Sequence, residues 1–520
     1  MNATLSTRRV FLAVLFLGLF ALMARNVTDP DVWWHLRTGQ YIAEHTSVPH
    51  TDPFSFTRAG EPWVTHEWLS ELLLYAVERA TGFGGLIVVF AAVLCVAFLL
   101  LYLRCGPNPY VAGVAVLCAA WACQPVWGVR PQVLSLLLTS LWLLILERSE
   151  CNPKLLWWTL PLTLLWVNLH AGFALGLALS ALFLAGELTE RVLGRSQQPA
   201  SHLRIAALVL LFDLLIVPLN PNGLRMFSYP IETLRSAAMQ SYIVEWASPN
   251  FHRAEYWPFL LIVLWTFAAL SWSRRELRPR DLLLLVISLY AGLCAIRMTP
   301  LFVLIAMPLG CQRLGDWPTS RPQSSRPPSP HFPLLNPFLN GAIVLAIAVF
   351  AGVHTAQVIQ RQPQAEMQLF PSRAVAFLHS HPAGRMFNHY DWGGYLIWRL
   401  YPSTRVFIDG RADLYGRQLL DQFANTYQFK GDWQQTLEQW RITTVLVPAD
   451  SALATGLRNS SGWTVTYEDS QAVVLSASHP SVPTEAATWL PWECNKLPLW
   501  EHFAGYYEVD HCRTGMFAAQ

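Results

Sequence analysis

Charge is scarce in this chain of 520 residues, with 13% Asp, Glu, Lys and Arg against 53% hydrophobic residues. That balance excludes an ordinary soluble globular protein. The net charge is only +2, and no basic stripe with interleaved aromatics occurs, so a nucleic-acid partner is not expected. No phosphate-cradling P-loop and no cytoplasmic nucleotide domain can be found, which fits a lipid-activated donor rather than a nucleotide sugar. The nine cysteines show no zinc or redox spacing, and most lie in apolar runs as small hydrophobes. Cys494 and Cys512 differ, because both fall in the polar tail, where an extracytoplasmic location would permit a disulfide. There is no internal repeat.

What is abundant is apolar sequence. Runs near 10–25, 84–103, 110–126, 131–147, 155–170, 172–188, 204–218, 257–272, 281–296, 298–312 and 337–357 predict about eleven membrane spans. The first follows Arg8 and Arg9 and reads as a retained signal anchor. With the N-terminus inside, the inward connections hold Arg104, Arg148 with Lys154, Arg191, Arg195, Arg204, Arg274, Arg275, Arg278, Arg280, Arg313, Arg321 and Arg326, as the positive-inside rule requires. An odd count leaves the C-terminal region outside. The expected division is a multi-span module over 1–313 with an acidic first outer loop (26–82), a Pro/Ser-rich cytoplasmic linker over 314–336 and a last transmembrane helix over 337–358. An extracytoplasmic α/β domain (363–478) and an irregular tail (479–520) follow.

Polar residues gather on the outward side. Asp29 and Asp31 leave the first span just before Trp33 and Trp34, where a carboxylate is costly to place and a lipid headgroup can reach it. They are candidates for a general base acting on a hydroxyl acceptor, or for a pair holding a divalent cation against a pyrophosphate. Asp29 also suits a cap for the helix opening at Pro30-Asp31, and the two roles can coexist. His35, one turn on, is placed to orient Asp31. Asp52, His66 and Glu67 form a second tier of metal or sugar contacts. The loop carries two helix-like pieces, 31–44 and 65–80, the second amphipathic enough to lie in the interface.

Arg130 and Arg297 sit at outer span ends, against the charge rule, where a guanidinium would grip a lipid phosphate through bidentate hydrogen bonds. Asn168 and His170 fall at another outer turn and are candidates to line an acceptor or sugar pocket. Asp213 is an intramembrane acid, expected to hydrogen-bond within the bundle. In the tail domain, strands are predicted at 385–389, 405–409, 443–447, 464–467 and 472–476, with helices at 372–381, 416–428 and 432–440. Asp391, Asp409, Arg411 and Asp413 lie at the strand ends, where α/β folds keep functional loops.

The acidic first loop with two interface helices, the multi-span body and the α/β tail together resemble the GT-C class of integral membrane glycosyltransferases. That class includes protein O-mannosyltransferases, aminoarabinose transferases and oligosaccharyltransferase catalytic subunits. HYDWGGYLIW, with Asp391, also resembles a reordered WWDYG signature of the last group. The resemblance implies a polytopic α-helical membrane protein that takes a sugar from a polyprenyl-phosphate-linked donor, among membrane lipids, and passes it to an extracytoplasmic acceptor of unknown identity. It implies that Asp29 or Asp31 serves as base or metal ligand, with magnesium or manganese as the expected cation, and that Arg130 and Arg297 bind phosphate. Two competing expectations are a flippase for lipid-linked glycans, which would show discontinuous spans and related halves, and a non-catalytic scaffold.

Overall fold

A computed structural model describes residues 6–273, 276–314 and 337–478. The linker expected over 314–336 falls, from 315 on, outside the described residues, as do the 479–520 tail and Cys494 and Cys512. The chain divides into two compact units.

The first unit comprises Met1–His50, Val64–Pro230 and Pro249–Leu369. It opens with α1 (Thr7–Met23), α2 (Val32–His45), α3 (Trp68–Arg104), α4 (Pro109–Ala122), α5 (Pro131–Ser149), α6 (Thr159–Leu169), α7 (Phe173–Val192) and α8 (Ala200–Ile216). Next come α9 (Arg225–Arg235), which ends in the second unit, and α10 (Ala237–Tyr242), which belongs to it; α11 (Trp257–Trp272), α12 (Pro279–Cys294), α13 (Thr299–Leu314) and α14 (Pro337–Leu369) return to the first. Every apolar run forms a helix, yet among the described residues six helical stretches are long and apolar enough to cross a membrane by themselves. These are Trp68–Arg104, Pro131–Ser149, Phe173–Val192, Ala200–Leu219, Ala254–Trp272 and Phe338–Leu369, so the expected eleven spans are carried at six by length and composition. Large apolar side chains such as Leu215, Trp272 and Phe350 face outward from these helices, an arrangement that water would penalise and lipid does not.

Two glycines shape the part of this unit that matters most. Gly82, at φ 65°, breaks α3 into an amphipathic entry piece and an apolar continuation, the division that the sequence predicts near residue 82. Gly39 lets α2 lie directly on α3, because a Cβ there would collide with the carbonyl oxygen of Glu71. At the opposite ends of the helices the charges pair: Arg104 forks onto Glu147 at 2.9 and 2.7 Å, and Arg278 bridges Glu150 and Glu190 at 3.0 Å each. Asp213 is buried in α8 with both oxygens satisfied, accepting from the hydroxyls of Thr159 at 2.8 Å and Thr163 at 2.7 Å. It is a structural clamp between helices, as expected.

The second unit is assembled from Thr51–Trp63, Ile231–Ser248 and Phe370–Gln520. Its described part after residue 370 runs α15 (Ser372–Ser380), β1 (Met386–Asn388), α16 (Gly393–Leu400), α17 (Ala412–Tyr427), α18 (Trp433–Gln439), β2 (Thr444–Pro448), α19 (Ala452–Arg458), β3 (Trp463–Glu468) and β4 (Ala472–Ala477). The sheet order is β1-β2-β4-β3, with β1 and β2 parallel and the other pairs antiparallel. Phe387, Phe407, Leu420, Phe423, Val445 and Leu475 fill its core.

Two expectations change here. The strand predicted at 405–409 forms only isolated bridges, from Val406 to Ser55 and to Met386. Asn388 explains this: its side chain accepts from the Phe407 N–H and donates to the Ile408 carbonyl, both at 2.8 Å, doing the work of a ladder. The domain boundary also moves, since α14 continues to Leu369, and the unit draws in 51–63 from the first loop and 231–248 from a later one.

Candidate functional site

Within the first unit, helix ends bring together most of the residues singled out in the sequence. Asp31 is the N-cap of α2, Glu67 of α3 and Arg130 of α5, while His170 is the C-cap of α6. Three helix N-termini thereby come close together, each with the positive end of its dipole. Trp68 Nε1–H donates to Asn168 Oδ1 at 2.8 Å and the Ser70 hydroxyl to the Leu169 carbonyl at 2.5 Å, which braces the start of α3 against the end of α6. Asn168 also donates to the Leu164 carbonyl at 2.8 Å. The Asn168 amide thus ties the first residue of α3 to the last turn of α6.

The two aspartates are tied to one arginine. Asp29 Oδ2 meets Arg130 Nε at 2.7 Å, and Asp31 Oδ2 lies 3.7 Å from Arg130 Nη2. Asp29 Oδ1 accepts the Asp31 N–H at 2.9 Å, which closes a turn just before α2, while the helix cap itself is Asp31 and not Asp29 as expected. Trp34 Nε1–H donates to Asp31 Oδ1 at 3.1 Å. Asp31 is the more open of the pair, with 28% of its side chain accessible against 10% for Asp29.

Beside them lies a buried cluster of imidazoles and carboxylates. His35 Nδ1 sits 3.4 Å from Glu71 Oε1 and 3.7 Å from Glu67 Oε1. His66 Nε2 and His170 Nε2 lie 3.7 and 3.9 Å from Glu67 Oε2. The His66 ring lies tilted against that of Tyr229, with 4.5 Å between ring centres. Burial, followed by the charges of His66, Arg297, His35 and Arg130, holds the His170 ring well below the ordinary imidazole range, so it is neutral. Arg297, in the turn before α13, is thus close enough to be felt here. Glu71 was not singled out in the sequence, since a carboxylate on an amphipathic helix face is ordinarily solvated; its close packing under Gly39 is what buries it.

Two groups have the spacing of a cation site, His66 with Glu67 and His170, and His35 with Glu67 and Glu71. They differ in chemistry. His170 Nδ1 accepts the Gly172 N–H at 2.9 Å, so it bears no proton, and the Ser135 hydroxyl, 2.8 Å away, donates to the same nitrogen. Ser135 Oγ in turn accepts Trp166 Nε1–H at 2.8 Å. A neutral ring with a bare Nδ1 carries its proton on Nε2, which is the atom facing Glu67. That nitrogen has no lone pair for a metal, and the first group does not fit a cation. The second group has the spacing of a cation site, with His35 Nδ1 3.4 Å from Glu71 Oε1.

The remaining candidates lie in the second unit. Asp391 is half-buried in the single 3₁₀ turn Tyr390–Trp392 that follows β1. Asp52, Asp409 and Arg411 are sealed in its interior, where Arg411 reaches Asp52 Oδ1 at 2.8 Å and both Asp409 oxygens at 2.8 and 2.6 Å. Tyr415 donates to Asp409 Oδ2 at 2.5 Å, and the guanidinium lies 4.6 Å from the centre of the Trp63 ring. These three are architecture, correcting the expectation that they contact substrate.

No family model matches the chain, and no curated protein matches it by sequence. Solved structures do. The chain is similar to the oligosaccharyltransferase AglB from Archaeoglobus fulgidus, in complex with an inhibitory peptide and a dolichol-phosphate, at 11% identity and a TM-score of 0.53, over 91% of this chain and 75% of that one. The apo form of the Archaeoglobus fulgidus oligosaccharyltransferase gives 11% and 0.52, over 85% and 70%. ArnT from Cupriavidus metallidurans bound to undecaprenyl phosphate gives 11% and 0.47, over 91% and 98%. The fold is that of the GT-C membrane glycosyltransferases, as the sequence resemblance implied.

Proposed function

We propose that this chain transfers a sugar from a polyprenyl-phosphate-linked donor to an acceptor hydroxyl on the outer membrane face, with Asp31 as general base. The observation that carries the reading is the contact of Arg130 with both aspartates where three helix N-termini converge. A dianionic leaving group is favoured by such ends and by a guanidinium, and a base beside it can take the acceptor's proton. The dolichol-phosphate bound by AglB supports a lipid phosphate as the anion.

In the reaction, Asp31 accepts the hydroxyl proton as the acceptor oxygen bonds to the anomeric carbon. The bond from that carbon to the phosphate oxygen breaks, its electron pair leaves with the lipid phosphate, and the anomeric configuration inverts. Asp29 holds Arg130 in place, and Arg130 with Arg297 neutralises the departing phosphate. If a divalent cation takes part, we assign it to His35, Glu67 and Glu71, whose ligand atoms have the spacing for one. Bound there, it would supply positive charge beside the phosphate.

A flippase is less well supported, because the one intramembrane acid singled out, Asp213, is fully hydrogen-bonded between helices. The test is transfer by the full chain in nanodiscs carrying polyprenyl-phosphate-linked sugars. Asp31→Asn should lower the rate by about 10²–10⁴-fold at unchanged thermal stability. Transfer persisting at the parental rate in that variant would sink the assignment.

A further inference from the structure

The segment that follows α8 packs on part of the candidate site and turns an apolar face away from it. Ala200–Leu219 is long and apolar enough to cross a membrane, and Leu208, Leu211, Leu215 and Leu219 recur along it at helical spacing as one exposed stripe. Buried Asn220 then ties the chain to the site: its Nδ2–H donates to the Val167 carbonyl at 2.8 Å, and its Oδ1 accepts the Asn222 N–H at 2.8 Å. Asn222 Nδ2–H reaches the Thr65 carbonyl at 3.4 Å. Gly223, at φ 57°, turns the chain into α9. From Leu224 to Tyr229 the side chains sort into three sectors, each a pair three residues apart. Met226 and Tyr229 are buried, with Tyr229 against His66; Arg225 and Ser228 are polar and exposed; Leu224, 74% exposed, and Phe227 are apolar and exposed.

We propose that Leu224 and Phe227 seat this segment in the acyl chains of the leaflet at the site's end of the bundle, so that the bilayer itself holds Tyr229 against His66. Position is the first reason. Leu224 follows closely on Leu219, the last residue of a membrane-crossing stretch whose exposed stripe already faces lipid, and the ties of Asn220 and Asn222 keep the chain from rising away from that edge. The second reason is the sorting itself. A helix surrounded by water and protein needs two sectors, whereas one lying in the interface needs three: apolar side chains for acyl tails, polar ones for headgroups and water, and a packed side for the protein. Arg225 is long enough to reach a headgroup phosphate from its sector. The partner is therefore bilayer lipid, met on a surface continuous with the lipid-facing side of α8. For its consequence the inference rests on the glycosyl-transfer reading: His66 lies beside Glu67 and His170, so a segment loosened from the membrane should hold the donor less well.

The experiment places spin labels on Leu224→Cys, Phe227→Cys and Ser228→Cys in the full chain in phosphatidylcholine nanodiscs, after native thiols that label in the parent have been replaced by serine. Collision is measured with oxygen, which concentrates in lipid, and with a nickel chelate, which stays in water. Labels at 224 and 227 should favour oxygen, and the label at 228 should favour the chelate. In transfer assays, Leu224→Gln with Phe227→Gln should raise donor KM about tenfold at unchanged thermal stability, and Leu224→Phe with Phe227→Leu, which keeps the apolar area, should restore most of it. Preference for the chelate at 224 or 227 would overturn the seating. So would shielding from both reagents, which would give the face to a protein segment or a second copy, and so would loss of oxygen collisions on adding bare polyprenyl phosphate, which would give it to the isoprenoid chain. An unchanged donor KM in the double Gln variant would overturn the coupling to the site. A parent that transfers no sugar would instead overturn the glycosyl-transfer reading, and the label measurements would still decide the seating.

Discussion

The chain contains two arginine–carboxylate centres of nearly the same composition, and their surroundings give them opposite jobs. In the second unit Arg411, Asp52 and Asp409 have side chains 1%, 0% and 0% accessible, and each carboxylate is further met by hydroxyl or peptide donors. In the first unit Arg130, Asp29 and Asp31 keep 12%, 10% and 28% of their side chains open. A sealed ion cluster has no room for a ligand, and its worth lies in pinning the 51–63 segment to the Asp409 loop. An ajar one can exchange partners. The lesson is that an Asp-x-Asp or Asp-Gly-Arg string carries chemistry only where its charges stay within reach of something that arrives.

Breaking the sealed centre should have the largest effect. Arg411→Met leaves two buried carboxylates uncompensated and should destabilise the second unit by about 3–5 kcal/mol, read from denaturant unfolding of the full chain. If stability is unchanged, the contrast between the centres fails. The open centre should respond in affinity instead. Arg130→Met should weaken bare polyprenyl phosphate binding by about 1.5–3 kcal/mol, with a much smaller loss of stability than Arg411→Met. Equal stability losses in the two variants would show that Arg130 is as structural as Arg411.

Smaller effects sharpen the same distinction. Asn168→Ala strands the Trp68 indole N–H and should cost about 1–2 kcal/mol of stability while raising donor KM, because Glu67 loses its brace. A stability loss with unchanged KM would separate the brace from the site. In the second unit, burial pushes His389 from 6.5 down to about 3. The unfolded chain therefore binds the extra proton between those values, so the stabilisation is complete above about pH 6.5 and is lost as pH falls toward 3, at up to about 1.4 kcal/mol per pH unit. Unfolding followed by tryptophan fluorescence from pH 7 to 4 should show that slope, and His389→Gln should flatten it.

Much of this was legible beforehand. The apolar runs, the break at Gly82 and the α/β character of the tail follow from hydropathy and turn chemistry alone, since these are local properties. Asp29, Asp31, His66, Glu67 and His170 were identifiable because polar residues beside membrane spans are costly. Their partners were not. Nothing in the local pattern says that Arg130 would contact the aspartates 99 or more positions earlier, that Glu71 would be buried under Gly39, or that Asp52 would join Arg411, 359 positions away.

The sequence by itself determined that this is a multi-helix membrane chain with one polar rim and an α/β tail, because hydropathy and its period act over a few turns of backbone. Only the tertiary structure decided which carboxylates are sealed and which are open, and which nitrogen of His170 keeps its proton. Those depend on what is packed within about 4 Å, and Ser135, Trp166 and Gly172 come to His170 from three different chain positions.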